Sequence, residues 1–179
     1  MKYSIFIEKR DNHFIKRLNS REQLVRKVKI IPIEFVIRNF AFGSIIKRYS
    51  ISKEYKFKRP LIELFLKKDE LNDPLINDDL IIEFGLVKKS ELEDLKYRTL
   101  IINEHLINLF SKINIELIDF KIEFGKTVND NENKLILADE ISPDNCRLWD
   151  VKSNKKLDKD RFRQDLGEVD KAYKEVAYR

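Results

Sequence analysis

The residues best suited to chemistry are four carboxylates that interrupt two apolar runs between residues 117 and 150. Asp119 and Glu123 alternate with isoleucine and phenylalanine in the first run, and Asp139 and Glu140 follow a second run. A carboxylate in an apolar run needs a cation or hydrogen-bond donors nearby. Carboxylates that lie close together suit a hard cation such as Mg²⁺, whose other oxygen ligands often include nucleotide phosphates. The competing interpretation is a sheet whose charged face is solvated and forms only ion pairs.

A β-hairpin would position these carboxylates. Apolar residues alternate with charged ones from Ile118 to Phe124, which is the period of a strand. Gly125 and the polar stretch NDNEN then turn the chain, and residues 134–141 return as a second strand. The segment that follows the hairpin, SPDNCRLWD, begins with the composition of a turn and contains Arg147 and Trp149 near its end.

Three strings of this region carry a resemblance to a known family: LIDFKIEFG, LADEISPDNCRLWD and DKDRFRQDLG. They resemble the phosphoribosylaminoimidazole-succinocarboxamide synthase (SAICAR synthase) family, and the resemblance runs from about His13 to the C-terminus. It implies an ATP-dependent ligase of purine synthesis with ATP and Mg²⁺ as cofactors. The substrates would be L-aspartate and an aminoimidazole carboxylate ribonucleotide. The implied fold is α+β, with mixed sheets, flanking helices and an incomplete N-terminal nucleotide-binding sheet.

The resemblance also implies roles for individual residues. Glu123 and Asp139 would hold the metal and the nucleotide, and three residues would be catalytic near the phosphates and the aspartate: Lys121, Lys67 and Asp73. The adenine pocket would be lined by Arg26, Lys27 and Val28. The imidazole nucleotide would be held by Arg38, Ser44, Arg147 and Arg163. A guanidinium grips a phosphate with two parallel hydrogen bonds, which suits Arg163 to that role. The alternative for the arginines is an ordinary salt bridge.

The turn after the first long strand has features of a binding loop. Gly43 permits a close approach of the backbone, and Ser44 offers a hydroxyl donor. Phe42 departs from the family pattern, which usually has a small residue at this position. A shifted loop and a crowded pocket are both compatible with that departure.

The remaining elements follow from caps and periodicity. A capping box formed by Ser20 and Gln23 predicts a short helix between residues 18 and 28, and residues 27–39 read as a strand at an edge or bulge because they contain Pro32. We predict a further strand at 61–66, a polar loop at 67–79, a helix at 91–113 and an amphipathic helix from Phe162 onward. Residues 1–30 would belong to an N-terminal nucleotide-binding domain and 31–179 to an α+β domain.

Composition narrows the class of partner. The net charge is +5, and no apolar run reaches the length of a membrane span. The basic and aromatic residues at 45–60 are the best local candidate for nucleic-acid contact, but their spacing is not that of a stacking surface. We therefore expect small-molecule substrates, no nucleic acid, no membrane and a cytoplasmic location, and we leave a homo-oligomer open. His13, His105 and the single Cys146 are expected to be structural.

One family feature is absent from this sequence. Members of the family usually open with a Gly-Lys-Ala-Lys turn over the ATP phosphates, and this sequence contains no such turn. We therefore expect the polypeptide alone to show little ligase activity and a tendency to associate, because one side of the triphosphate would lack its donors. Two other functions stay open: a catalytically silent nucleotide-binding remnant, and a basic RNA-binding module with a steep salt dependence.

Overall fold

The structure is a computed structural model that describes residues 12–19, 22–128, 133–163 and 167–179, with only the backbone at 162 and 163. The chain divides into two compact units. Unit 1 contains the described residues up to Phe35 together with Leu64–Leu95 and Ile122–Glu140. Unit 2 contains Val36–Glu63, Lys96–Lys121 and Ile141–Arg179.

In the described residues, seven strands form two sheets. Strands β1 (Phe14–Arg17) and β2 (Gln23–Val25) form a small antiparallel pair. The larger sheet contains β3 (Val28–Phe40), β4 (Lys56–Leu66), β5 (Ile115–Thr127), β6 (Leu135–Leu137) and β7 (Cys146–Asp150). Its order is β4-β3-β5-β6, and β7 also pairs with β5. Both β6 and β7 are antiparallel to β5, where β7 pairs with residues 115–120 and β6 with residues 124–126.

The same part of the chain contains five α-helices: α1 (Ser44–Tyr49), α2 (Asp78–Glu83), α3 (Lys89–Ser111), α4 (Asp160–Arg163) and α5 (Val169–Tyr178). A short 3₁₀ turn, Asp69–Leu71, precedes α2. The mixed α+β class predicted from the sequence is confirmed. No helix in the described part of the chain is long and apolar enough to cross a membrane.

Strand β5 is the centre of the larger sheet, and both of its faces are buried. Phe120, Ile122 and Phe124 are almost inaccessible to solvent, as expected for the apolar side of the alternation. The charged side is buried as well, because Asp119 and Glu123 are only 4% and 5% exposed. The interpretation of a solvated charged face is therefore wrong, and these carboxylates need partners within the protein.

Several predicted elements are confirmed: β3, β4 and α3 lie where the sequence placed them, and β4 begins earlier, at Lys56. The hairpin of β5 and β6 is also confirmed, but β6 ends at Leu137 rather than at Ile141. Pro32 does not mark an edge, because β3 lies between β4 and β5. The carbonyl of Pro32 still accepts a hydrogen bond from the amide of Lys67, at 3.0 Å, so the missing N–H removes only the donor side of the pairing.

Two helix predictions are wrong. The segment from Leu18 to Val28 contains β2 and a turn, and the side chain of Asn19 accepts from the Glu22 amide at 3.0 Å; Ser20 itself lies outside the described residues. Asparagine forms such local turns readily, and they compete with helix formation. The C-terminal region holds two helices rather than one, because Gly167 and Glu168 adopt left-handed conformations with φ of 64° and 53°.

Candidate functional site

Two arginines of unit 2, buried Arg38 and half-buried Arg147, converge on one carboxylate oxygen. Arg38, near the end of β3, donates from Nη1 to Oδ2 of Asp119 at 3.0 Å. Arg147, on β7, donates from Nη1 to the same oxygen at 2.7 Å. Asp119 and Arg147 are neighbours because β5 pairs with β7 at this register. The sheet thus brings together two arginines that are 109 residues apart in sequence.

Further acceptors hold each guanidinium. Arg38 donates from Nε to Glu63 of β4 and from Nη1 to the carbonyl of Phe42 at 3.0 Å. Arg147 donates from Nε to Oδ2 of Asp160 at 2.8 Å. Three carboxylates therefore surround two cations, as expected when charged groups are removed from water.

The turn between β3 and α1 completes this cluster. Ser44 begins α1, and its Oγ accepts from Arg38 Nη2 at 3.3 Å and from Arg48 Nη1 at 2.9 Å. Gly43 has a positive φ of 69°, and a Cβ added there would lie 3.2 Å from Nη2 of Arg147. The glycine is thus needed both for its backbone conformation and for the close approach of the arginine.

The electrostatics keep Arg147 charged. Burial acts to lower the pKa of Arg147, but the carboxylates of Asp119 and Asp160 outweigh it and raise that pKa above its ordinary value. Burial raises the pKa of Asp119, and the adjacent Arg147 and Arg38 oppose that shift. The pKa of Asp158 is raised to about 6, first by burial and also by Asp160, although its carboxylate accepts from the amides of Leu148 and Asp160. Arg147 thus stays charged among carboxylates that pair with it.

A second cluster lies in unit 1, where a lysine just after β4 pairs with a carboxylate within β5. Lys67 follows β4 and donates from Nζ to Oε2 of Glu123 at 2.6 Å. The lysine side chain is 42% exposed and the glutamate 7% exposed. The carbonyl of Glu123 accepts from the amide of Ala138 at 2.9 Å. Ala138 therefore lies opposite Glu123, and Asp139 is the next residue along the chain. The close approach of the two carboxylates themselves stays a prediction.

The donor set of this second cluster fits a metal-bound nucleotide. Mg²⁺ is commonly held by one or two carboxylates together with substrate phosphates and water. Glu123 and Asp139 would supply the carboxylates, and Lys67 would supply a cation for the phosphates. Among the described residues, no group of three or more histidines, cysteines or carboxylates is arranged to hold a metal by itself. A metal bound here would therefore take further ligands from the nucleotide and from water.

The other predicted site residues are placed as follows. Lys121 is half-buried on β5, and its amide donates to the Asn145 carbonyl at 3.0 Å. Asp73 has a left-handed backbone, and its Oδ1 accepts from the Lys68 amide at 2.7 Å, which stabilises the loop after β4. The side chain of Arg163 lies outside the described residues, so its predicted convergence with Arg147 stays a prediction.

The predicted adenine segment precedes or begins β3. Arg26 and Lys27 are exposed there, whereas Val28 is half-buried. The side chain of Val28 lies against Gly125, where an added Cβ would be only 2.7 Å from Cγ2. These contacts define the surroundings of Val28 but do not test its predicted role.

The sequence reasoning assigned no role to the acids that hold the arginines. Asp119 was noticed as part of the alternation on β5, but Glu63 and Asp160 were not singled out. A usable signal existed for Asp160, because it lies in the string DKDRFR that carries the resemblance. Glu63 had no such signal, since its pairing with Arg38 depends on the adjacent placement of β3 and β4.

Sequence comparison connects the chain to one enzyme family. The family model described as SAICAR synthetase matches residues 3–179. The phosphoribosylaminoimidazole-succinocarboxamide synthase of Rhodospirillum centenum is 53% identical over 167 residues, which cover 93% of this chain and 66% of that protein. The enzyme of the same name from the Wolbachia of Culex pipiens is 55% identical and is covered to 69%. The chain thus spans about two thirds of the length of these curated relatives.

Solved structures agree with this connection. The crystal structure of the synthase from Ehrlichia chaffeensis superposes with a TM-score of 0.91 at 52% identity, covering 94% of this chain and 71% of that one. A SAICAR synthetase solved in complex with ADP superposes with a TM-score of 0.88 at 41% identity, covering 93% and 70%. With a family model that matches nearly the whole sequence, and relatives more than half identical to it, the chain belongs to the SAICAR synthetase family.

Proposed function

We propose that this chain carries out the ATP-dependent ligation of L-aspartate to 5-amino-1-(5-phospho-D-ribosyl)imidazole-4-carboxylate, giving SAICAR, ADP and phosphate in purine biosynthesis. Family membership supports the reaction, and the relative bound to ADP supports a nucleotide as co-substrate. The single observation that carries the proposal is that Arg38 and Arg147 both donate to the buried carboxylate of Asp119. Such a fixed cationic pair suits a substrate with a phosphate and a carboxylate.

The reaction joins a carboxylate and an amine, which do not condense without activation. The imidazole carboxylate attacks the γ-phosphorus of ATP, and ADP leaves. The amine of aspartate then attacks the carbonyl carbon of the acyl phosphate, phosphate leaves and the nitrogen loses a proton. No protein nucleophile is needed, so catalysis depends on positioning and on stabilising negative charge. This matches a site whose conspicuous residues are arginines, lysines and carboxylates.

We assign the residues accordingly. Arg38, Ser44, Arg147 and Arg163 hold the imidazole nucleotide, and the segment from Arg26 to Val28 lines the adenine. Lys67, Asp73 and Lys121 act on the phosphates and the aspartate. Glu123 and Asp139 would hold Mg²⁺. When bound, that ion would neutralise charge on the phosphate oxygens.

Lys67 has a second effect on this site. Its ammonium lies 2.6 Å from Glu123 and offsets the charge of a nearly inaccessible carboxylate. Because Lys67 is part exposed, its side chain has room to turn toward an incoming phosphate, and Glu123 would then be free to hold a metal.

The reaction consumes ATP, and we further propose that the chain acts in the cytoplasm.

The test is ADP formation by the purified chain, measured with each substrate omitted in turn. We expect slow ADP formation, in line with the low ligase activity expected from the sequence, and only when ATP, Mg²⁺, aspartate and the imidazole nucleotide are all present. Glu123→Gln should lower turnover by roughly 100-fold or more, because it removes a charge that the metal and nucleotide require. Glu116→Gln, at a half-buried glutamate of the same strand, is the matched control and should retain turnover. ADP formation that ignores the imidazole nucleotide, or no ADP formation at all, would overturn the proposal.

A further inference from the structure

The ring of Phe42 lies among three cations of unit 2. The guanidinium carbon of Arg147 lies over the ring at 5.0 Å from its centroid, and the ammonium groups of Lys156 and Lys53 lie at 5.1 Å and 5.5 Å. Phe42 is only 6% exposed. A cation within about 6 Å of an aromatic face is attracted by the ring quadrupole, and more strongly where water is excluded. The ring therefore offers Arg147 an electrostatic contact that an aliphatic side chain cannot provide.

The carboxylates and the ring constrain Arg147 in different directions. Asp160 accepts from Nε at 2.8 Å and Asp119 accepts from Nη1 at 2.7 Å, and hydrogen bonds of this kind fix a guanidinium within its own plane. They leave it able to tilt out of that plane. The centroid of the Phe42 ring lies 5.0 Å from the guanidinium carbon, and Gly43 leaves room for the group, since a Cβ there would approach Nη1 to 3.3 Å. The aromatic ring therefore adds a contact that the acids do not make.

Phe42 is itself held on two sides. Its carbonyl accepts from Nη1 of Arg38 at 3.0 Å. Its ring meets Trp149 edge to face, with centroids 5.3 Å apart and an interplanar angle of 87°. Together with Ile118, these two aromatic residues form a buried apolar cluster. The ring is therefore a fixed platform, and the same residue touches both arginines of the candidate site.

We propose that Phe42 is a positioning residue for Arg147, and that its ring sets the affinity of this site for the anionic group of the imidazole nucleotide. The inference rests on the proposed function of Arg147. Within the part of the chain that the structure describes, Nη2 of Arg147 donates to no protein acceptor, so that edge is the one available to an anion. A guanidinium whose tilt is fixed before binding loses less freedom when the anion arrives.

The test compares three variants of the purified chain. Phe42→Leu removes the aromatic ring but keeps an apolar side chain, and Phe42→Tyr restores an aromatic face. Phe40→Leu is the matched control, because Phe40 packs against the same apolar cluster and lies under Lys56 at 5.2 Å. The measured quantities are KM for the imidazole nucleotide, KM for ATP, kcat and the midpoint of thermal unfolding.

We expect Phe42→Leu to raise KM for the imidazole nucleotide roughly 3- to 30-fold while KM for ATP stays within about twofold, which is the range of a partly desolvated cation–π contact. Phe42→Tyr should restore most of the affinity, and Phe40→Leu should match the parent. An unchanged KM in Phe42→Leu overturns the inference. A similar rise in both KM values together with a lower midpoint of thermal unfolding also overturns it, because that pattern marks a merely structural residue.

Direct binding of ribose 5-phosphate, measured by calorimetry, separates this inference from the proposed function. If the parent chain forms no ADP but binds ribose 5-phosphate more tightly than Phe42→Leu does, the ligase proposal fails and the positioning role stands. Equal affinities of the parent and Phe42→Leu, or no binding by either, overturn the positioning role whatever the turnover.

Discussion

Arg147 shows how a single side chain combines three chemical constraints. Two carboxylates accept from its Nε and Nη1, and its guanidinium carbon lies over an aromatic ring. Lysine keeps the charge but has neither the planar fork nor a flat face. Arginine at this position is therefore used for its geometry as much as for its charge.

Replacing Arg147 with lysine tests this point. We expect KM for the imidazole nucleotide to rise roughly 10- to 100-fold, because lysine lacks the planar set of N–H donors that a guanidinium presents to an anion. Charge-assisted hydrogen bonds of this kind contribute about 1.5–3 kcal/mol each. KM for ATP should change much less. Arg59→Lys, at an exposed arginine of β4, is the control. Equal KM values for the two variants would contradict the role given to Arg147.

Sequence reasoning predicted some of the residues in this cluster and missed the contact that joins them. It proposed Arg38, Ser44 and Arg147 as one set, and the structure brings these three together. The strings that carried the resemblance made this possible. It did not find that Asp119 joins the two arginines, because that contact arises only when β3 and β7 lie on opposite sides of β5.

At the level of elements, β5 makes unusually close contact with β3 within unit 1. A Cβ on Gly125 would lie 2.7 Å from Cγ2 and 2.9 Å from Cβ of Val28, closer than nonbonded carbon atoms approach. Gly125 does not carry a positive φ, so space rather than backbone conformation requires the glycine here. Glu123 lies two residues away on the same strand.

We predict that Gly125→Ala lowers the free energy of unfolding by about 1–3 kcal/mol, because the strands must move apart to admit the methyl group. Denaturant unfolding would measure the change. Gly85→Ala is the control, since nothing lies within 4 Å of a Cβ there and only its φ of 63° opposes the change. A smaller loss at Gly125 than at Gly85 would contradict the packing argument.

Two asparagines couple β3 to α3 within unit 2. Asn39 donates to Asn103 at 2.9 Å, Asn103 donates back at 3.0 Å, and both residues are buried. Asn39 also donates to the carbonyl of Leu117 at 3.2 Å. This reciprocal pair lies beside Arg38 in sequence and fixes the end of β3 against the helix.

A double-mutant cycle would measure that coupling. Asn103→Ala should cost about 1–3 kcal/mol because it leaves a buried amide of Asn39 without its partner. The double variant with Asn39→Ala should cost less than the sum of the two single changes, with a coupling of roughly 0.5–3 kcal/mol. Asn108→Ala, on the exposed side of α3, is the control. Strict additivity would show that the two amides do not act as a pair.

Element prediction failed where turns compete with helices. The long periodic segments β3, β5 and α3 were predicted because burial imposes their repeat on the sequence. The capping pattern at Ser20 was misleading, because β2 occupies Gln23–Val25 and the side chain of Asn19 accepts from the amide of Glu22. Likewise, the apolar repeat after Phe162 was continuous in sequence, but Gly167 and Glu168 interrupt the helix. Local conformations of this kind leave little trace in hydrophobic periodicity.

At the scale of the whole molecule, buried acids should make stability depend on pH. Asp158 is fully buried, and burial raises its pKa to about 6, while Asp150 has its pKa held well below the ordinary value by Ser153 and Arg179. The two groups act in opposite directions. A carboxyl with a raised pKa favours the folded state when protonated, and one with a lowered pKa favours it when ionised.

The last prediction isolates Asp158. Its pKa is about 3.9 in an unfolded chain and about 6 when folded, so the folded state binds more protons between these values. Its contribution to the free energy of unfolding is therefore full below about pH 4 and falls as pH rises through 6, by roughly 2–3 kcal/mol in total. Asparagine at this position does not titrate. The stability of the parent chain relative to Asp158→Asn should consequently be greater at pH 4 than at pH 7.

Denaturant unfolding of both proteins from pH 4 to pH 7 measures this difference. Contributions from Asp150, Glu91 and Glu175, whose pKa values are lowered, occur in both proteins and cancel. Asp170→Asn, at an exposed aspartate of α5, corrects for the loss of one negative charge. The amides of Leu148 and Asp160 donate to the two oxygens of Asp158, so Asp158→Asn should be less stable than the parent at every pH. Only the change of this stability difference with pH reports the titration of Asp158. A difference that stays constant or grows with pH would show that Asp158 is already ionised in the folded protein at pH 4.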